Sequence, residues 1–226
     1  MTPKERNKAK SARRRYFAVS SAILIVVAGA FLVGKYGLPF GSQLGNYLRK
    51  AETIPAQKKW AERIELPGLP NLHKVSDELY RGAQPTAEGM KQLEKLGVKT
   101  VVNLRSLPSD RDEIKDTGLA YEHIYMTPLN IDDKDVVRFL RIVSDSSQTP
   151  VFVHCQHGAD RTGTMCAIYR IAVQGWSKDE AVEEMTKGGF GFHSIWQNLP
   201  DYIRKVDIDE IKQKAILIER NNMLKP

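Results

Sequence analysis

Val151-Phe-Val-His154-Cys155-Gln-His-Gly158-Ala-Asp-Arg161-Thr162-Gly-Thr164 is the stretch from which the fold of this chain is read. Val151–His154 follows Pro150 as a short apolar strand. A small-residue helix is expected over Thr162–Val173, ended by Gly175. A buried strand that turns tightly into a helix lets the six amides from Gln156 to Arg161 converge on one point. Unpaired N–H groups and the helix macrodipole make that point an anion site. Such surroundings favour a thiolate, so Cys155 is the expected nucleophile. Arg161 offers a planar fork that matches two oxygens of a phosphoryl group. Gly158 lets the backbone turn close to a ligand. Thr162 can donate its hydroxyl to the Cys155 sulfur. The phosphate-binding set is therefore Gln156, His157, Gly158, Ala159, Asp160 and Arg161.

Outward from this stretch, strand and helix patterns alternate from about residue 71. Leu72–Val75 and Glu78–Arg81 are short strand candidates around Ser76-Asp77. Met90, Leu93 and Leu96 give Thr86–Leu96 a helical spacing, with a Thr cap and a stop at Gly97. Thr100–Leu104 is a β-branched strand, Asp110–Thr117 a polar helix candidate and Ala120–Ile124 a further strand. Val136, Val137, Leu140 and Val143 share one face of a helix over Asp133–Ser144. Ser177 caps Lys178–Thr186, and further helices follow from His193 to the end. The expectation is an α/β domain with a mostly parallel central sheet flanked by helices.

The chain has 226 residues, room for one mid-sized domain and its appendages. Its 42% apolar and 27% charged residues exclude wholesale disorder. Two cysteines, Cys155 and Cys166, exclude a disulfide framework and a Cys-based zinc cluster. Of the net charge of +7, residues 1–34 supply +6, from seven Lys/Arg against Glu5. The body is close to neutral, so no nucleic-acid partner is expected.

Phe17–Val33 is an uncharged apolar run preceded by Arg13-Arg14-Arg15 and flanked by Tyr16 and Tyr36. It reads as a transmembrane signal anchor, with the N-terminus cytoplasmic and the rest exported. Cleavage after Ala30, in the small-x-small sequence Ala28-Gly29-Ala30, is the alternative. Residues 37–70 are rich in Gly and Pro and read as a connector, with a short amphipathic helix between Gln57 and Leu66. The expected organisation is a basic tail over 1–16, an anchor over 17–36, a connector over 37–70, a catalytic domain over 71–205 and a C-terminal helix over 206–226.

His154-Cys155-x5-Arg161-Thr162-Gly163 resembles the signature of the Cys-dependent protein tyrosine and dual-specificity phosphatases. Leu79-Tyr-Arg-Gly-Ala-Gln-Pro85 and Val101-Val-Asn-Leu-Arg105 are similar to motifs of bacterial dual-specificity-phosphatase-like proteins and of the plant and fungal atypical branch. The resemblance covers roughly residues 70–205. It implies a tyrosine-phosphatase-like fold and a metal-independent phosphomonoesterase that works through a phosphocysteine, with no cofactor. Phosphoproteins, lipid phosphates or inositol phosphates are the implied substrates. A tethered phosphate-binding module without turnover and an RNA 5′-phosphatase are the rival functions.

Family members often carry an acidic residue upstream of the nucleophile as general acid. Asp132 and Asp133 occupy that region, although Asp132 is also placed to cap a helix. Asp160 is the other candidate, because Asp160-Arg161-Thr162 resembles the loop ending of myotubularin-type phosphatases. His154 is expected to orient the loop, and His157 to stand at the substrate rim or face solvent. Cys166 reads as core, or as a disulfide partner for Cys155 on an oxidising side of a membrane. Arg81 and Arg105 read as structural ion-pair partners, or as a basic rim. Gly188-Gly-Phe-Gly-Phe192 reads as a turn with aromatic packing, or as part of the pocket mouth.

Overall fold

The computed structural model describes residues 58–223. Both the apolar run Phe17–Val33 and the tail before it lie outside these residues, as does most of the expected connector. Among the described residues no helix is long and apolar enough to cross a membrane.

Six strands form one mixed sheet: β1 (Glu62–Arg63), β2 (His73–Lys74), β3 (Leu79–Gly82), β4 (Thr100–Asn103), β5 (Ala120–His123) and β6 (Val151–His154). Their order is β1-β2-β3-β6-β4-β5. The last four in that order are parallel neighbours, as expected, whereas β1 and β2 add an antiparallel edge on one side. The link from β2 to β3 is only Val75–Glu78, far shorter than the dozen or so residues a parallel crossover needs. The sheet is thus mixed, with a parallel centre.

Alternation along the strands builds two cores, since successive side chains point to opposite faces. Val151 and Val153 join Leu79 and Val102 in one core, while Phe152 joins Tyr80 and Val101 in the other. The smaller core is covered by α1 (Ala87–Lys95), capped by the Thr86 hydroxyl, and by α2 (Arg111–Ile114). The larger is covered by α3 (Asp133–Ser144), α4 (Asp160–Ala172), α5 (Lys178–Lys187), α6 (Asn198–Lys205) and the start of α7 (Ile208–Met223). In α3 the buried face comprises Val136, Val137, Phe139, Leu140, Ile142 and Val143. Each such side chain contributes about 1.5–3 kcal/mol. Helix α4 is buried nearly all round because it lies between the sheet and α5 and α6, hence its small residues. A Cβ on its Gly163 would meet Met185 Cγ at 2.9 Å.

Two local expectations are corrected. Residues 58–66 contain no helix: Glu62 pairs with Lys74 and Arg63 with His73, and Ile64 N–H donates to Leu72 O. A segment that short gains little from helical bonds alone, and the sheet edge satisfies its backbone instead. Residues 193–197 are also not helical, and α6 begins only at Asn198.

Candidate active site

The carboxyl ends of β3, β6 and β4 lie side by side, with Gly82 and Asn103 both in register with His154. Cys155 is the next residue, so the loop Cys155–Ala159 opens at the end of the parallel strands. Crevices of this kind are where open α/β sheets bind ligands. Helix α4 starts at Asp160, and its N-cap, Ala159, makes no side-chain capping bond. The first amides of α4 are thereby free of a side-chain partner at their N-cap.

Gly158 has φ +70°, and a Cβ there would lie 2.4 Å from the carbonyl carbon and oxygen of Gly82. The loop therefore rests directly on the end of β3. It is also held from beneath. Arg81, 1% exposed, donates from Nη2 to Gly158 O at 2.7 Å and stacks on Phe190 at 3.8 Å. Asn71 Nδ2 donates to His157 O and Phe190 O, both at 2.9 Å. These donors hold the carbonyls of His157 and Gly158, so the N–H groups of Gly158 and Ala159, on the opposite side of each trans peptide, point away from them.

Cys155 and Cys166 are buried free cysteines, not a disulfide. Burial pushes the Cys166 thiol up to about 11, with the nearby Arg81 guanidinium opposing the rise. Arg161 Nη1 donates to Leu104 O and Met126 O, both at 3.2 Å, which anchors one arm of the fork to the β4 and β5 ends. Thr162 Oγ1 is buried without a hydrogen-bond partner, so the expected bond to the Cys155 sulfur is not formed. Gln156 and His157 are exposed, and Gly158, Ala159 and Asp160 are buried.

The three acid candidates have different surroundings. Asp132 Oδ1 accepts from Lys134 N–H at 2.9 Å and caps α3. Asp133 Oδ1 accepts from the Tyr202 hydroxyl at 2.7 Å, and that phenol is pushed up by burial and by Asp133 itself. Asp160 is the first residue of α4, next to the loop, with both oxygens bonded to His193.

His154 Nδ1 lies 3.2 Å from Cys155 O, and its Nε2 lies 3.0 Å from Asp110 Oδ2. Asp110 is fully buried and accepts from Arg105 Nη1 at 3.1 Å. Arg105 is thus an ion-pair partner and not a basic rim. Arg81 is neither: it braces the loop. Asp110 and His193 are contacts the sequence did not reveal, since Asp110 sits in a polar run and His193 lies 33 residues from Asp160. The Gly-rich segment before His193 does reach the site, through Phe190 under Arg81.

Residues 69–199 match the family model described as DSP-PTPase phosphatase fused to NAD+ kinase. The dual specificity protein phosphatase TpbA of Pseudomonas aeruginosa is 37% identical over 195 residues, 84% of this chain and 82% of TpbA. The inositol diphosphatase SIW14 of Saccharomyces cerevisiae is 28% identical over 165 residues, 68% of this chain and 56% of SIW14. The TpbA crystal structure aligns with a TM-score of 0.62 and 35% identity, over 72% of this chain and 98% of that one. TpbA in complex with pTyr aligns equally well, at 0.62. The catalytic core of Siw14 aligns at 0.59 with 26% identity, over 72% and 98%. A family match over more than half the chain, and a 37% identical relative matched over most of both lengths, agree with the strand-loop-helix frame around Cys155. The chain belongs to the dual-specificity protein phosphatase family and is a Cys-dependent phosphatase.

Proposed function

We propose that the protein hydrolyses phosphomonoesters through a phosphocysteine on Cys155, without a metal or cofactor. The observation that carries this reading is the loop itself. Cys155 and Arg161 flank a turn at the N-terminus of α4 whose His157 and Gly158 carbonyls are held by Asn71 and Arg81. The amides of Gln156 to Arg161 hold the equatorial phosphoryl oxygens while Cys155 attacks in line. The arms of Arg161 not bonded to Leu104 O and Met126 O take part in the same clamp. Thr162, whose buried hydroxyl has no other partner, donates to the sulfur as it leaves. Water then opens the phosphocysteine.

Phosphorylated proteins carrying phosphotyrosine, phosphoserine or phosphothreonine are the proposed substrates, supported by the similarity to TpbA. Inositol-type or lipid phosphates are the second reading, favoured by the similarity to SIW14. We further propose that Phe17–Val33 anchors the chain in a membrane with the catalytic domain exported. Its support is the uncharged run and the arginines before it.

The full chain is expected to hydrolyse p-nitrophenyl phosphate in EDTA and to be blocked by vanadate. Acid quench during turnover should trap a Cys155 peptide about 80 Da heavier. Cys155→Ser should bind vanadate or substrate without turning over. Sustained turnover by Cys155→Ser, or rapid hydrolysis with no trapped adduct, would overturn the covalent reading.

A further inference from the structure

Each of the three candidate aspartates has a hydrogen-bond partner, and one of them leads to a different group. Asp132 caps α3 and Asp133 holds the Tyr202 hydroxyl. Asp160 commits both oxygens to a single residue. Its Oδ1 accepts from the His193 backbone N–H at 2.9 Å, and its Oδ2 faces His193 Nδ1 at 2.8 Å. A carboxylate only accepts, so Nδ1 carries the proton of that bond. The ring is thereby fixed in orientation, and Nε2 is its second proton site. Among the described residues Nε2 has no protein partner. The His193 side chain is 47% exposed, whereas that of Asp160 is 9% exposed. The imidazole also stands edge-on to His157, with 5.3 Å between ring centroids, and His157 belongs to the anion-binding loop. An oriented proton donor is therefore tethered beside the proposed phosphate cradle by the Asp160 carboxylate.

Electrostatics favours the same assignment. An unpaired carboxylate at Asp160 would repel a dianionic substrate at close range. Paired with an imidazole, the same carboxylate orients a donor. From this geometry we propose that His193 Nε2–H protonates the leaving oxygen, with Asp160 as the residue that positions it. The proposal rests on the phosphatase reading above and names its general acid.

The Cys155 sulfur forms a bond to phosphorus as the phosphorus–oxygen ester bond breaks. The departing oxygen takes the Nε2 proton, which leaves a neutral imidazole still bonded through Nδ1 to Asp160. In the second step Nε2 accepts a proton from the attacking water. The new oxygen–phosphorus bond forms as the sulfur–phosphorus bond breaks, which restores the protonated ring and the thiolate.

The test compares leaving groups in the full chain. For His193→Gln, kcat/KM on phenyl phosphate should fall about 100-fold, against a change within about fivefold on p-nitrophenyl phosphate, whose leaving group needs little protonation. Asp160→Asn should show the same selectivity to a smaller degree. Added imidazole should restore phenyl phosphate turnover to His193→Gly, which a loop-supporting role would not allow. Equal losses on both substrates, no loss on either, or the leaving-group selectivity found in Asp132→Asn or Asp133→Asn would overturn the assignment. The underlying mechanism is judged separately, by the loss of all turnover in Cys155→Ser, and stands or falls whatever His193 does.

Discussion

Arg81 Nη2 donates to the carbonyl of Gly158 at 2.7 Å across a sequence separation of 77 residues. Burial pushes this guanidinium down from its ordinary value, and nearby Cys166, Glu184 and Cys155 oppose the shift. The residue thus holds the loop and supplies positive charge beneath it. In Arg81→Met the loop loses its brace, and a small displacement of the amides suffices to cost about 100-fold in kcat/KM. Arg81→Lys should recover only part, because an ammonium replaces the planar fork with a point charge. Steady-state kinetics and vanadate inhibition, measured on variants shown to be folded by circular dichroism, check this. Unchanged kcat/KM in Arg81→Met would refute the brace.

Gly158→Ala tests the contact between the loop and β3. The left-handed φ of +70° alone costs an L-residue about 1 kcal/mol. The larger obstacle is backbone: the new Cβ would lie 2.4 Å from Gly82 O and 2.6 Å from Ala83 N, which no rotamer relieves. The loop must lift, so vanadate binding and turnover should fall together. Isothermal titration with vanadate measures the first directly.

Glu184 tests the larger core away from the chemistry. It receives Arg170 Nε at 2.7 Å, Arg170 Nη2 at 2.5 Å and the Ala61 N–H at 2.7 Å, with both charged side chains almost fully buried. Glu184→Ala strands the Arg170 guanidinium and should destabilise the fold by about 3–5 kcal/mol. Urea denaturation measures the loss. Turnover per folded molecule should stay near that of the parent at low temperature.

His73 gives the fold a pH dependence of known sign. Burial lowers it from 6.5, its hydrogen bond with Asn71 O opposes this, and the charges of Arg81 and Arg63 lower it further. The folded state therefore resists protonation of a ring that the unfolded chain protonates readily. Its stabilisation is complete above pH 6.5 and declines as pH falls below that value, by at most about 1.4 kcal/mol per pH unit. His73→Gln should flatten this slope in urea midpoints measured between about pH 5 and pH 7. The same ring packs edge-on to Phe190 at 4.7 Å, so acidification should loosen the segment leading to His193.

Much of this was legible in local patterns. Strand β6 and helix α3 have the bounds expected from β-branched runs and from the 3.6-residue spacing of Val136, Val137, Leu140 and Val143. Thr86 and Ser177 are the caps their positions implied. These features depend on residues within a few positions of one another. The helix expected between Gln57 and Leu66 is not formed by residues 58–66, because their hydrogen-bond partners at β2 and Leu72 come from farther along the chain. Arg81 departs from both expectations, ion-pair partner or basic rim, for a similar reason, since nothing near it in sequence shows that its acceptor is a carbonyl of the loop.

The sequence by itself determined the strand-loop-helix unit around Cys155, because strand propensity, a glycine able to take positive φ and the following helix are properties of adjacent residues. It likewise determined that Cys155 and Arg161 would share one turn. Only the tertiary structure decided what surrounds that turn: Arg81 beneath it, Asp110 behind His154, and His193 bonded to Asp160 at its rim. These pairs come from separate elements, and their distances are set by how the sheet and helices pack, which no local spacing records.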